Sequence, residues 1–162
     1  TAYEISACLV GSEMCIRDRL TRNKNLYLNL ERNDEFSDRL LFLMFHFALF
    51  LKKFKSEINK KKSQELFDFF VRQIELSIRE IGYGDVSVNK KMKEYVNMFY
   101  AILDKIEVTD MSIDENIANF FRKIFNLDKN IKFYANYYKK YNEYLSNNTL
   151  NNFTKDIINH NF

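Results

Sequence analysis

The sequence predicts an all-α protein that forms a single compact bundle of about five to six helices. Its 162 residues contain no proline and only three glycines, so few positions interrupt a helix. Apolar residues recur at three- and four-residue spacing along most of the chain, which is the period of one helix face. Neither a strand alternation nor a linker long enough to divide domains is visible. The length is sufficient for one domain with its own apolar core.

The first nineteen residues, TAYEISACLVGSEMCIRDR, differ from the rest. They show no sustained period, and they contain both cysteines, Cys8 and Cys15. Because CLVGSEMCIRD resembles translated sequencing-adapter read-through, we interpret residues 1–19 as a non-native segment before a helical domain over 20–162. That domain would contain no cysteine, its core would span about 36–145, and its own N-terminus and any targeting peptide would be missing. The alternative is a natural tail with two free thiols.

Residues 20–34 are polar and mixed, and they predict a loop or a short helix. The first strong helix is predicted from Ser37 to about Ser56, with Asp34 or Ser37 as its cap. Its centre, LLFLMFHFALFL at 40–51, is apolar on nearly all sides. This pattern indicates either a buried central helix or a helix with a docking face. The stretch is too short to span a bilayer, which takes about 20 residues.

Apolar stripes predict four further helices. Their bounds are Ser63–Ile81, Ser87 to about Glu107, Ile113–Asn126, and Leu127 to about Leu145. Beyond 147–149, residues 150–158 are either a last short helix or a tail.

The segment Gly82-Tyr83-Gly84-Asp85 predicts a corner between the second predicted helix of the chain, which ends at Ile81, and the third, which begins at Ser87. Gly82 is expected in the left-handed conformation that ends a helix, and Gly84 is expected to permit a second strained turn residue. Asp85 or Ser87 is the predicted cap of the next helix.

Three lysines, Lys90, Lys91 and Lys93, follow this corner in the predicted first turns of the third helix. Cations are disfavoured there by up to about 0.3–1 kcal/mol each, because the N-terminal end of the helix dipole is positive. Two interpretations remain open. The lysines contact an anionic or carbonyl-rich partner beside an exposed Tyr83, or they form a solvated run of charge.

Catalytic and metal-binding patterns are sparse. The chain has two histidines, of which His160 is near its end and His46 lies inside the most apolar helix, as expected of a packed core histidine. No phosphate-binding glycine loop or nucleophile elbow occurs. We therefore expect no enzyme activity, catalytic residue, metal or cofactor. His46 is the one plausible axial haem ligand, and we do not expect it to act as one. The net charge of +3 is too small to indicate nucleic-acid binding.

Residues 67–104, FDFFVRQIELSIREIGYGDVSVNKKMKEYVNMFYAILD, resemble the signature of the ubiquinol–cytochrome c chaperone family. That signature is roughly L-R-E-M-G-V-G-D-L-G-V-G-K-K-V-K, followed by a helix that ends in A-F-Y-G. The matching positions are Arg79, Glu80, Gly82, Gly84, Asp85, Val88, Lys90, Lys91, Lys93, Phe99 and Tyr100. Residues 36–55 are similar to the family's earlier helix, with Arg39 and His46 on matching positions. Ser87, Asn89 and Ala101 replace family glycines, which implies a less flexible loop.

The resemblance implies an assembly chaperone that binds newly synthesised cytochrome b and promotes its incorporation into the ubiquinol–cytochrome c reductase (bc1) complex. It also implies a small co-chaperone near the ribosome and peripheral contact with the inner membrane, and no direct DNA binding. The location would be the bacterial cytoplasm, or the matrix side of the mitochondrial inner membrane. The expected partner-binding residues are Arg79, Glu80, Gly82, Tyr83, Gly84, Asp85, Lys90, Lys91, Lys93, Phe99 and Tyr100. Arg39, Phe42, Phe45 and His46 would contact the client or lie in the core.

Three alternative functions remain open. Lysines interleaved with aromatic residues also suit a helical RNA- or ribosome-binding module. An aromatic helical bundle also suits a protein that binds a lipid or an isoprenoid. A helical scaffold without a client is the third alternative.

Overall fold

The computed structural model describes residues 23–28, 30, 36–127, 129–150 and 152. These residues form an all-α bundle, which confirms the predicted fold class. The helices are α1 (Lys24–Leu28), α2 (Phe36–Phe54), α3 (Lys60–Glu80), α4 (Asp85–Val108), α5 (Asp114–Phe125) and α6 (Ile131–Asn147). The predicted non-native segment 1–19, the proposed cap Asp34, His160 and most of the segment 150–158 lie outside the described residues. No described helix is long and apolar enough to cross a bilayer.

Helix α2 is the centre of the bundle. It packs against α4 and α6, while α3 packs on α4 and α5 packs on α6. Nearly every side chain from Leu40 to Phe50 is buried. Since its neighbours cover α2 on several sides, an all-round apolar sequence is what this position requires. Of the two interpretations of the apolar stretch, the buried central helix is confirmed.

Two aromatic clusters hold opposite faces of α2. On one face the Phe45 ring lies 5.4 Å from Phe121 and 5.7 Å from Phe125, both on α5. On the other face Phe47 stacks on Phe70 of α3 at 4.2 Å and on Phe99 of α4 at 5.6 Å. Each buried Phe contributes about 1.5–3 kcal/mol by leaving water. Most of the chain's aromatic content therefore serves the core.

His46 lies in this core with both ring nitrogens hydrogen-bonded. Its Nδ1 is 2.6 Å from the Phe42 carbonyl oxygen, and its Nε2 is 2.6 Å from the Tyr137 hydroxyl. Because a carbonyl oxygen only accepts, Nδ1 carries the proton and Tyr137 donates its O–H to Nε2. Burial lowers the pKa of His46 to about 4, and the bond to Phe42 opposes that shift. His46 is thus a neutral, packed histidine that links α2 to α6.

Two of the observed helix starts differ from the predicted ones by three or more residues. Helix α3 begins at Lys60, before the predicted Ser63, because the Asn59 side chain accepts a hydrogen bond from the Lys62 N–H at 2.8 Å. The helix predicted to begin at Leu127 begins at Ile131 instead. Asn126 and Asn130 both adopt positive φ, 52° and 57°, which asparagine tolerates better than most residues. Leu127 between them is still buried in the core.

We expect acid to destabilise the fold through His46. The neutral ring takes up a proton in the unfolded chain near pH 6.5, but in the native state only near pH 4. The contribution of His46 to the free energy of unfolding is therefore fully present above pH 6.5. It falls by roughly 3 kcal/mol between pH 6.5 and 4 and does not change further below pH 4. Urea denaturation of the wild type and of His46→Leu at several pH values measures this contribution. If the difference in free energy of unfolding between the two proteins stays constant from pH 6.5 to 4, the predicted role of His46 is wrong.

Candidate functional site

The connection between α3 and α4 exposes an apolar surface, and residues 79–93 are called the corner below. Every residue from Ile81 to Ser87 is exposed. Three of them are large apolar side chains: Ile81 is 51% exposed, Tyr83 44% and Val86 86%. Single exposed apolar residues are normal on soluble proteins, but three within one tight turn form a patch of the kind that marks interaction surfaces.

Backbone geometry at Gly82 sets the direction of this turn. Gly82 has a φ of +99° and its N–H bonds to the Arg79 carbonyl at 2.9 Å, so it ends α3 as predicted. Gly84 has φ −72° and ψ 160°, which is ordinary extended backbone, so the predicted second strained residue is wrong. Gly84 is itself the residue that caps α4, without a side-chain hydrogen bond. The predicted caps, Asp85 and Ser87, are therefore also wrong, since α4 already begins at Asp85.

Arg79 joins the two helices across the corner. Its guanidinium donates to Glu75 Oε1 at 2.9 Å and also pairs with the Asp85 carboxylate. Hydrogen bonds to Asp85 and then to Glu75 raise the pKa of Arg79. These side chains are exposed, so the pairs add little to the free energy of unfolding. The pair with Asp85 links the start of α4 to the end of α3. Glu80, beside Arg79, is exposed.

The lysines of the corner lie further along α4 than the sequence suggests. Because α4 begins at Asp85, Lys90 and Lys91 lie in the second turn and Lys93 in the third, not in the first turn. The helix-dipole cost falls off within the first turn, so most of the predicted penalty is absent. Lys91 lies 3.4 Å from Glu94, and that hydrogen bond raises the pKa of Lys91. Lys90 and Lys93 are exposed and have no carboxylate partner among the described residues.

Phe99 and Tyr100 do not join the corner. They lie about 15 Å further along α4 than Lys90, at 1.5 Å per residue. Phe99 is 1% exposed and belongs to the aromatic cluster around Phe47. Tyr100 is 53% exposed, so of the two only Tyr100 is presented to a partner.

The four candidates on α2 fall into two groups. Phe42, Phe45 and His46 are buried, so of their two predicted roles the core is favoured. Arg39 is exposed, and its guanidinium lies 5.8 Å from the centre of the Tyr27 ring.

Sequence reasoning missed a groove of about 460 Å³ near the other end of α3. It lies between the C-terminal end of α2, the start of α3 and the middle of α4, and Tyr100 lines it. The run KKFKSEINKKK at 52–62 contains the lysines of this region, but the apolar lining comes from residues that are far apart in the sequence, so no local pattern indicated a groove. Within the described part of the chain, no group of three or more His, Cys, Asp or Glu side chains could hold a metal ion.

Comparison with known proteins supplies one match. A family model described as ubiquinol-cytochrome C chaperone matches residues 29–125, about three fifths of the chain. The matched region includes α2, α3, α4 and α5, and thus the whole corner. No curated protein and no solved structure matches significantly.

The corner offers a matched pair of glycine substitutions. Gly82→Ala is expected to cost about 1–2 kcal/mol, because alanine is strained at the φ of +99° although the space around the new Cβ is empty. Gly84→Ala is expected to cost less than about 1 kcal/mol, because its backbone angles suit any residue. Urea denaturation measures both values. Equal costs would show that the conformation of Gly82 does not control the turn.

Proposed function

We propose that this chain, which belongs to the ubiquinol–cytochrome c chaperone family, binds newly synthesised cytochrome b and promotes its incorporation into the bc1 complex. The family ties the chain to assembly of the ubiquinol–cytochrome c reductase. The client, the binding surface and a non-enzymatic mode of action are parts of this proposal.

The exposed apolar patch at the corner is the observation that carries the proposal. Cytochrome b is an apolar membrane protein, and holding it before assembly requires apolar surface that the chaperone keeps in water. Ile81, Tyr83 and Val86 offer such a surface. Lys90 and Lys93 at its edge can bind carbonyl oxygens or anionic groups of the client. The pair of Arg79 with Asp85 links the two sides of the corner, and a corner formed before binding lowers the entropic cost of association.

The buried aromatic residues support the same assignment, because their rings are occupied by contacts within the core. The ring of Phe99 packs against Phe47 and Phe70. Phe42 and Phe45 are fully buried. A client that docked on α2 would have to displace α4 or α6, at a cost comparable with the stability of a whole domain. Docking at the corner needs no such rearrangement.

A chaperone for a membrane client works where that client is inserted. We therefore place the protein at the cytoplasmic face of the bacterial inner membrane, or at the matrix face in a mitochondrion. A small co-chaperone and the ribosome are the further partners of this proposal.

Photo-crosslinking tests the client and the surface together. The full chain carries p-benzoylphenylalanine in place of Tyr83, in a bacterium that assembles bc1 complex. We expect ultraviolet light to link it to cytochrome b, identified by mass spectrometry. Lys90→Glu with Lys93→Glu is expected to lower the yield severalfold, because both charges at the edge of the patch are reversed.

Two controls use the exposed side of α6. The crosslinker at Asn136 is expected to capture no cytochrome b, and Lys132→Glu with Lys140→Glu should leave capture at position 83 unchanged. Equal capture from positions 83 and 136 would reject the corner as the binding surface. Capture of ribosomal RNA or ribosomal proteins without cytochrome b would reject the proposed client.

A further inference from the structure

The groove at the start of α3 has an apolar floor and a basic rim. Leu51, Ile58, Phe67 and Leu103 contribute apolar lining, and Tyr100 closes one side. Lys55 and Lys60 contribute the cationic lining. This arrangement suits a ligand with an anionic end and an apolar chain. The volume of about 460 Å³ is within the roughly 300–1,000 Å³ usual for small-ligand sites.

The rim belongs to a lysine cluster whose members differ in their partners. Residues 52–62 hold six lysines and one acidic residue, Glu57, so this segment is strongly positive. Lys52 donates to the Ile106 carbonyl at 2.6 Å, and Lys55 pairs with Glu107 at 3.0 Å. Lys60 and Lys61 are exposed and have no hydrogen-bond or ion-pair partner in the described part of the chain. These two remain available to an anion.

The same lysines occupy an unfavourable place in α3. Lys60, Lys61 and Lys62 form its first turn, which contains no acidic residue. Cations are disfavoured there by the helix dipole, and Asn59 satisfies only the N–H of Lys62. A bound anion would stabilise this turn. Here, unlike at the corner, the lysines do lie in the first turn of their helix.

We infer that this groove takes an acyl chain of an anionic phospholipid, with Lys60, which lines the groove, and the neighbouring exposed Lys61 at the phosphate. The inference rests on the proposed location at the inner membrane and names the surface that faces it. Clusters of four to eight basic residues bind anionic leaflets, each contributing about fivefold in affinity. The lysine charge at the groove complements the negative charge of the phosphate, and Phe67 and Leu103 provide apolar surface for the acyl chain.

The size of the groove argues against a peptide helix as the occupant. One helical turn, with a diameter of about 10 Å and a rise of about 5.4 Å, already fills roughly 400 Å³. A docked helix uses anchors over two turns or more and would extend well beyond a groove of this volume. An acyl chain is narrower than a helix and needs only apolar surface such as that of Leu51, Phe67 and Leu103.

Vesicle flotation with the purified full chain tests the lysines. We expect binding to vesicles of phosphatidylcholine with phosphatidylglycerol, and weak binding to phosphatidylcholine alone. Lys60→Glu with Lys61→Glu should lower the partition coefficient by roughly twentyfold or more. These acids suit the first turn of a helix, so the melting temperature should stay the same or rise. The control Lys132→Glu with Lys140→Glu makes the same change of net charge on the exposed side of α6 and should bind as the wild type does.

Tryptophan quenching tests the acyl chain. The protein has no tryptophan, so Tyr100→Trp introduces a single fluorophore in the groove. We expect phosphatidylglycerol brominated on its acyl chains to quench Trp at position 100 and to leave Trp at position 83 unquenched. Equal loss of vesicle binding in the two lysine variants, or no quenching at position 100, would overturn the inference. Loss of RNA or acidic-peptide binding in Lys60→Glu with Lys61→Glu, with vesicle binding intact, would also overturn it. Because this assay contains no cytochrome b, its failure is separate from failure of the crosslinking experiment.

Discussion

The structure depends on one constraint, which is that α2 has no polar side between Leu40 and Phe50 and must be covered all round. Helices α4 and α6 cover it directly, and α3 and α5 complete the two aromatic clusters. His46 is the one titratable group admitted to this stretch, and it is accepted because Phe42 and Tyr137 satisfy both ring nitrogens. The helix richest in apolar residues is consequently unavailable for a partner.

The covering of α2 leaves α3 with two exposed ends of different chemistry. The corner presents Ile81, Tyr83 and Val86 in a turn that Arg79 orients. The opposite end presents lysines around an apolar groove. A 21-residue helix spans about 31 Å, so the two surfaces are well separated. The proposed roles fit this separation, because one end would hold an apolar client while the other contacts the membrane that receives it.

Sequence periodicity was sufficient for the class of fold and the helices of the bundle, because both follow from local apolar spacing. It left α2 as either a buried helix or a docking helix, since that choice depends on which neighbours cover it. The end of α3 at Gly82 was also predictable from the local sequence, since glycine is favoured at a positive φ. The starts of α3 and α4 were not predictable. They depend on which residue caps the helix, and the observed caps are Asn59 and Gly84, not the nearby serines or Asp85. The groove was invisible in the sequence because it joins Leu51, Phe67 and Leu103 from three helices.

Hydrogen–deuterium exchange of the full chain, with and without newly made cytochrome b in nanodiscs, tests the central claim most directly. If α2 is reserved for the core and the client binds the corner, the amides of residues 82–93 exchange more slowly in the complex. Those of residues 40–51 stay unchanged, because the core is already closed. Slower exchange confined to α5 and α6, or faster exchange in α2 as the bundle opens around the client, would contradict the account.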